Sequence, residues 1–340
     1  MRRSAALALV TGGTLAVGTL AWYRLRQTPE AVSGIFPNGM AYARLGTGPK
    51  TLLFIRSGPG NVVPTGRIFV ALSAFWLRPF LDNGYTIWNV TRKQNMPKGY
   101  TVADMAEDYA GMIADELGGK VDLVIGEEAY GGMIGFCLAA RHPDRFGHLA
   151  IMLAGYQVSE QGKALELDFA RLMSEGRTSE AGALLVGLMA PDLRMPRAAR
   201  AIGALLIRVM FGQAHRYFAS DVMIEAEAVV AFDAREVLPE IPVPVLLIGC
   251  DRDFEFPKAV YEETARLIPD CTLTIYENKT AIQAGSDKRL PRDVLEFVRQ
   301  RPAVLPEHRA EQPTIISQPA AATDRSGQPV GASPAGTDAG

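Results

Sequence analysis

Between about residue 37 and residue 300 the sequence alternates short aliphatic or β-branched runs with longer helical stretches, and this rhythm limits the possible folds more than any other feature. The runs are Thr51–Arg56, Tyr85–Thr91, Val121–Gly126, Leu149–Leu153, Val245–Gly249 and Thr272–Tyr276. Helical patterns lie between and after them, over Val102–Leu117, Gly131–Arg141, Ala259–Leu267 and Pro291–Arg299. Apolar runs without a polar face predict strands buried on both sides, as in a mostly parallel sheet between two helix layers. Thr101 is placed to cap the first of these helices, with Asp104 in its first turn. One interval breaks the rhythm. From about Ser159 to Ala234 the pattern is helical throughout. It predicts a lid over the C-terminal ends of the strands, where open α/β sheets place their sites.

The two ends read differently from the middle. Arg2-Arg3 precedes an uncharged, mostly apolar run from Ser4 to Tyr23, closed by Trp22-Tyr23 and then Arg24 and Arg26. Twenty helical residues span roughly 30 Å, the thickness of a bilayer's hydrocarbon core. Aromatic and arginine flanks suit an interfacial anchor. A cleaved signal peptide is the alternative, although Ala21-Trp22-Tyr23 does not supply small residues for cleavage. Basic residues on both sides leave the orientation open. From Arg301 onward the chain is rich in Pro, Ala, Gly, Gln and Ser, and such a segment cannot bury enough surface to offset its ordering entropy. The expected organisation is an anchor or signal over 1–26, a linker over 27–36, one domain over 37–300 with a lid at about 159–234, and a disordered tail over 301–340.

Composition excludes some partners. The formal net charge is −2 with both signs interspersed, so there is no basic block for nucleic acid. Cys137, Cys250 and Cys271 lie in apolar surroundings and read as small buried hydrophobes rather than a disulfide framework or a metal cluster.

Four motifs occur in a telling order. Val121–Pro143, VDLVIGEEAYGGMIGFCLAARHP, resembles the strand, nucleophile elbow and following helix of α/β-hydrolases, whose elbow is G-x-S-x-G. Leu52–Gly60, LLFIRSGPG, resembles their oxyanion loop, with Arg56-Ser57 where the family usually has Gly or His-Gly. Ile241–Pro257 is similar to the late strand that ends in the triad acid, here Asp253. Thr272–Val298 is similar to the last strand, histidine loop and closing helix. The resemblance covers about residues 37–300 and implies the α/β-hydrolase fold.

The departures fall on the chemistry. Counting back from Pro143 and from Gly131-Gly132 sets Ala129 at the nucleophile position, with Tyr130 after it. Counting forward from Gly126 sets Glu128 there instead, and the sequence leaves both registers open. The histidine position falls on Ala281. His142, His148, His215 and His308 all lie elsewhere, reading as a helix end, a strand, the lid and the tail. Loss of nucleophile and base in a serine hydrolase costs about 10⁶ in kcat, so ordinary triad hydrolysis is not expected.

A pocket nevertheless remains. Oxyanion donors are expected at Tyr130 and near Gly58 and Ser57. Charged residues at the mouth are Glu127, Glu128, Arg56, Asp251 and Asp253, with Arg56 free to bridge to a carboxylate. No ligand set for a metal is identifiable, and no cofactor is implied. The lid offers Leu184, Leu185, Leu188, Met189, Leu205, Leu206, Met210 and Phe211, either as packing or as the wall of a cavity for a hydrophobic small molecule. Two readings lead, with ester hydrolysis by another arrangement of residues as a lesser third. In one the chain is a non-hydrolytic pseudoenzyme binding such a molecule or a partner at the membrane. In the other it is a repurposed cyclase, lyase or isomerase using a carboxylate such as Glu128. A buried Glu128 with raised pKa favours the second.

Overall fold

The computed structural model describes residues 31–58, 60, 76–189, 201–205, 207 and 215–301. The strands in chain order are β1 (Ala31–Ile35), β2 (Met40–Leu45), β3 (Lys50–Ile55), β4 (Tyr85–Lys93), β5 (Val121–Glu127), β6 (Phe146–Met152), β7 (Val245–Cys250) and β8 (Cys271–Tyr276). They form one sheet in the order β1-β2-β4-β3-β5-β6-β7-β8. The first two pairings, β1 with β2 and β2 with β4, are antiparallel, and all the others are parallel. The helices are α1 (Arg78–Asp82), α2 (Val102–Glu116), α3 (Glu128–Arg141), α4 (Glu160–Ser174), α5 (Thr178–Met189), α6 (Phe218–Ala231), α7 (Lys258–Leu267), α8 (Ala281–Gly285) and α9 (Arg289–Gln300).

Alternate residues along the central strands feed opposite cores. Leu53, Val124, Leu149 and Leu247 pack beneath α2, α3 and α7, while Leu52, Ile125, Ala150 and Leu246 pack with Phe80, Leu290, Val294 and Phe297 on the other face. The two-sided burial predicted for these runs is therefore observed. Thr101 and Asp104 form a reciprocal capping box at the start of α2, at 3.1 and 2.9 Å, an arrangement worth about 1 kcal/mol.

The stretch read as a linker, 27–36, is corrected over 31–35, which is strand β1 paired with β2. Its five residues, Ala-Val-Ser-Gly-Ile, are too few for an alternating pattern to show, and they form a strand because β2 offers an edge. The other calls at the termini, the segment 1–26 and the tail after 301, lie outside the described residues. No helix among the described residues is long and apolar enough to cross a membrane.

Between β6 and β7 the described elements are helical. α4, α5 and α6 share a separate small core of Phe169, Met173, Ala181, Phe218 and Val222, against which Leu184 and Leu185 pack. Leu205 is exposed. Leu206, Met210 and Phe211, and the side chains of Leu188 and Met189, lie outside the described residues.

Candidate active site

β5 carries Glu127 and Glu128 to the C-terminal edge of the sheet, and α3 starts at once. Gly126 makes that turn possible: a Cβ there would lie 2.5 Å from the Gly131 carbonyl oxygen. Glu128 has φ +45°, a left-handed conformation that costs a non-glycine residue roughly 1–2 kcal/mol. Ala129 is buried in the first turn of α3. The left-handed residue of the turn is thus Glu128, and Ala129, reached by counting back from Gly131-Gly132, lies one residue further on inside the helix. Those glycines serve packing instead. A Cβ on Gly131 would meet the Ile55 carbonyl oxygen at 2.2 Å, and one on Gly132 would meet Ala154 Cβ at 2.3 Å.

Glu128 is partly buried, and its pKa is raised to about 7. Burial is the main cause, followed by the charge of Glu127. A hydrogen bond from the Ser57 hydroxyl opposes the shift, Asp253 adds to it, and Arg56 opposes it. Its Oε1 lies 3.8 Å from where a Cβ on Gly285 would stand. Glu127 turns to the loop after β3, accepting the Ser57 N–H at 3.1 Å and lying 3.7 Å from Arg56. The Arg56 bridge anticipated from the sequence is therefore made to Glu127.

Asp253 is buried and held by its own neighbourhood. It accepts the Tyr261 hydroxyl at 2.6 Å and the backbone N–H groups of Glu255 and Phe256 at 2.9 and 3.2 Å. Burial raises its pKa despite these bonds. Asp251 accepts the Asn278 and Lys279 N–H groups and so pins the turn before α8. Ala281 begins α8, behind the Thr280–Gln283 capping box, and packs partly buried against the sheet core.

The described histidines stand apart from this cluster. His142 ends α3 and lies 2.8 Å from Glu107, His148 in β6 packs edge-on to Phe297, and His215 lies 3.9 Å from Asp221. Among the described residues no group of His, Cys, Asp and Glu is arranged to hold a metal ion.

The structure adds groups that sequence reasoning missed. Tyr130 is fully buried, its hydroxyl donating to Glu166 of α4 at 2.6 Å, with the Arg92 guanidinium 5.1 Å from its ring centre. Arg92 pairs with Glu225 of α6 at 2.8 Å and donates to the carbonyls of Arg56, at 2.7 Å, and Gly58. Glu225 also accepts the Gly60 N–H. Gly58 itself has φ +75°. Burial raises the Glu166 pKa to about 7. The pKa of Glu255 rises well above the carboxylate range through burial and the charges of Glu166, Glu128 and Asp253. A signal for part of this was present: Asp221 and Glu225 stand one turn apart on the apolar face of the helix FASDVMIEAEAVVA, whereas Glu227 is exposed. Chemically the site is a set of carboxyls, of which burial raises Glu128 and Glu166 to about 7, beside the loop after β3 and the N-terminus of α3.

No protein-family profile matches the chain. A RutD carbamate hydrolase-like protein of Yersinia enterocolitica is 27% identical over 179 residues, 52% of this chain and 61% of that relative, so the likeness spans about three fifths of the relative's length. Among solved structures, the esterase EaEST of Exiguobacterium antarcticum superposes with a TM-score of 0.58 at 17% identity, over 79% of this chain and 100% of the other. A thermophilic esterase of Thermogutta terrifontis gives 0.56 at 19% identity, over 80% and 98%. The enol-lactonase of Burkholderia xenovorans gives 0.55 at 18%, over 77% and 98%. Strand order, the strained turn between β5 and α3 and these likenesses agree that the chain is an α/β-hydrolase-fold protein.

Proposed function

We propose that the chain is an enzyme that works with a carboxylate, Glu128, at the position where the fold usually places its nucleophile. The observation that carries this reading is the state of that one residue: a glutamate in a strained left-handed turn, partly buried, with a pKa of about 7. A solvated structural glutamate has no need of a left-handed backbone, and strain of this kind gathers at functional sites. A carboxylate with a pKa near the working pH is suited to both accepting and returning a proton. Glu127 and Asp253 add negative charge beside it, so the favoured substrate is uncharged at its reacting end. Hydrolases are the recurrent likeness, which points to a carbonyl compound. The apolar segment Ser4–Tyr23 would keep such an enzyme at a membrane, a source of hydrophobic substrate.

The test is turnover of a panel of neutral esters, lactones and unsaturated carbonyl compounds by the wild-type chain and by Glu128→Gln. Loss of at least a hundredfold with an unchanged fold is expected. Turnover unaffected by the substitution would sink the reading.

A pseudoenzyme is the second reading, and a specific observation favours it. Asp253 is already satisfied by Tyr261 and two backbone N–H groups, and the Ser57 N–H is occupied by Glu127. On that reading Glu128→Gln binds the same hydrophobic molecules as the wild type and neither form converts them.

A further inference from the structure

We infer that Gly285 keeps open the space in front of the Glu128 carboxyl, and that the substrate places a small apolar group in that space, against Leu153. The inference rests on the reading of Glu128 as the working carboxylate and adds what that carboxylate faces. Gly285 is the last residue of α8, and Ala281, where the resemblance puts a histidine, lies one turn before it. The segment that would carry the family's base therefore brings no imidazole to Glu128. It brings a residue with no side chain.

Three observations converge on this glycine. First, a Cβ added to Gly285 would meet nothing at clashing distance. Among the described residues the atoms nearest to it, outside its own helix, are Leu153 Cδ1 at 3.5 Å and Glu128 Oε1 at 3.8 Å, both ordinary van der Waals contacts. Gly126, Gly131 and Gly132 differ, since each has an atom within 2.5 Å of the corresponding point. Gly285 is also absent from the left-handed region of the backbone. Neither packing nor conformation requires glycine there, and alanine is the better helix former. Gly111 and Gly187 are equally unconstrained, but they face open space, whereas Gly285 faces the carboxyl. Second, the two side chains that reach Gly285 belong to strained residues. Four described non-glycine residues have positive φ, and two of them are asparagines, which tolerate it. The others are Glu128 at +45° and Leu153 at +54°, where β5 and β6 end. A left-handed leucine is an outlier, and this one is fixed by its N–H bond to the Ile248 carbonyl at 2.8 Å. Strain of this kind gathers at functional sites. Third, Glu128 and Gly285 are partly exposed while Leu153 is buried. The space opens outward, with a leucine as its floor.

The dimensions say what fits. A single methyl at the position of the missing Cβ touches both Leu153 and the carboxyl oxygen, so a substituent of about that size on a substrate makes the same two contacts. Leu153 offers dispersion and the exclusion of water, but no hydrogen bond. An uncharged alkyl or alkenyl group gains from that surface, whereas a strongly hydrated group loses its water without replacement. Seated there, the group lies against the oxygen proposed to move the proton. Glycine at 285 thus selects substrates whose reacting end carries a small apolar substituent, and any side chain at this position competes with that substituent for the same volume.

The test reads access to Glu128 without needing its substrate. Uncharged carbodiimides add the O–H of a protonated carboxyl across a C=N bond, and migration of the acyl group to nitrogen leaves a stable adduct. The full chain in detergent is treated with diisopropylcarbodiimide and with the larger dicyclohexylcarbodiimide, and peptide mass analysis locates the adducts. Glu128 should be modified at a rate that falls as pH rises through about 7, and Glu128→Gln should lose the adduct. Gly285→Leu should slow modification of Glu128 roughly tenfold or more, the scale on which an apolar site discriminates by size. Gly285→Ala should slow the larger reagent more than the smaller one, while its melting temperature stays level or rises. The alanine variant carries the test if the leucine variant fails to fold. No adduct on Glu128, or equal rates in the wild type and the Gly285 variants, overturns the inference. If turnover of a neutral ester or lactone is then still lost in Glu128→Gln, the carboxylate enzyme stands without a selective Gly285. If substitution of Gly285 blocks modification but Glu128→Gln leaves turnover unchanged, the catalytic reading fails and the space stands as a binding site.

Discussion

Arg92 and Glu225 pair at 2.8 Å with neither side chain reachable by solvent, and this pair ties the loop after β3 to the cap helix α6. Each charge has further partners. The guanidinium holds two loop carbonyls, and the carboxylate holds the Gly60 N–H. Removing one member of a buried pair leaves the other uncompensated and typically costs 3–5 kcal/mol. Glu225→Ala is therefore expected to lower stability by about that amount in urea unfolding. Arg92→Met combined with Glu225→Leu should cost less than the sum of the two single changes, because no lone charge remains. Additive losses would show that the pair is not coupled.

The pH dependence of stability follows from the carboxyls near neutrality. Glu128 and Glu166 are both raised from 4.5 to about 7, so the folded state binds their protons more tightly than the unfolded chain does. The sign is opposite to that of a salt-bridged carboxylate. From these two groups stability is highest below about 4.5 and falls as pH rises towards 7, by about 3 kcal/mol for each. The raised Asp253 and Glu255 add to the decline, Glu255 carrying it above 7. Urea unfolding at pH 5, 6, 7 and 8 should show the decline, and Glu128→Gln with Glu166→Gln should make it shallower. The lowered carboxyls, such as Asp287 at the start of α9 and Asp251, act in more acidic solution and leave this window clear. A profile that rises from pH 5 to pH 7 would contradict the assignment.

The parallel half of the sheet was legible because its strands are buried on both faces and so appear as unbroken aliphatic runs, such as LLFI in β3 and VLLIG in β7. β1 and β2 were not, since an antiparallel edge needs few residues and tolerates polar ones. At the elbow the sequence offered two rulers that disagree by one residue, Gly126 and Gly131-Gly132. Only the backbone distinguishes a glycine that permits a turn from glycines that let a helix lie against β3 and Ala154. Arg92, Glu225 and Glu166 were beyond reach for a different reason. They come from β4, α6 and α4, so their meeting is a property of the fold and leaves no spacing to read.

The N-terminal segment makes a prediction of its own. Ser4–Tyr23 is uncharged and bounded by arginines, so the full chain should sediment with membranes and resist a high-salt wash. A chain starting at residue 27 should remain in the supernatant, with β1 intact. Recovery of the full chain in the soluble fraction with Met1 still present would refute the anchor, and a mature N-terminus near residue 24 would favour a cleaved signal.

The strain at Glu128 can be measured without knowing any substrate. With φ at +45°, the residue occupies a conformation that glycine adopts freely and that alanine resists as glutamate does. Glu128→Ala removes the buried carboxylate and keeps the backbone cost. Glu128→Gly removes both, so it should be more stable than Glu128→Ala by about 1 kcal/mol even though glycine makes the unfolded chain more disordered. The control is Ala129, which lies inside the first turn of α3, where glycine costs roughly 0.5–1 kcal/mol relative to alanine. Ala129→Gly should therefore destabilise the protein. If the turn were at Ala129, the order would reverse, with Ala129→Gly stabilising and Glu128→Gly weaker than Glu128→Ala. The outcome fixes which side chain the elbow presents, and a glycine variant that gains stability while losing turnover would mark the strain as maintained for function.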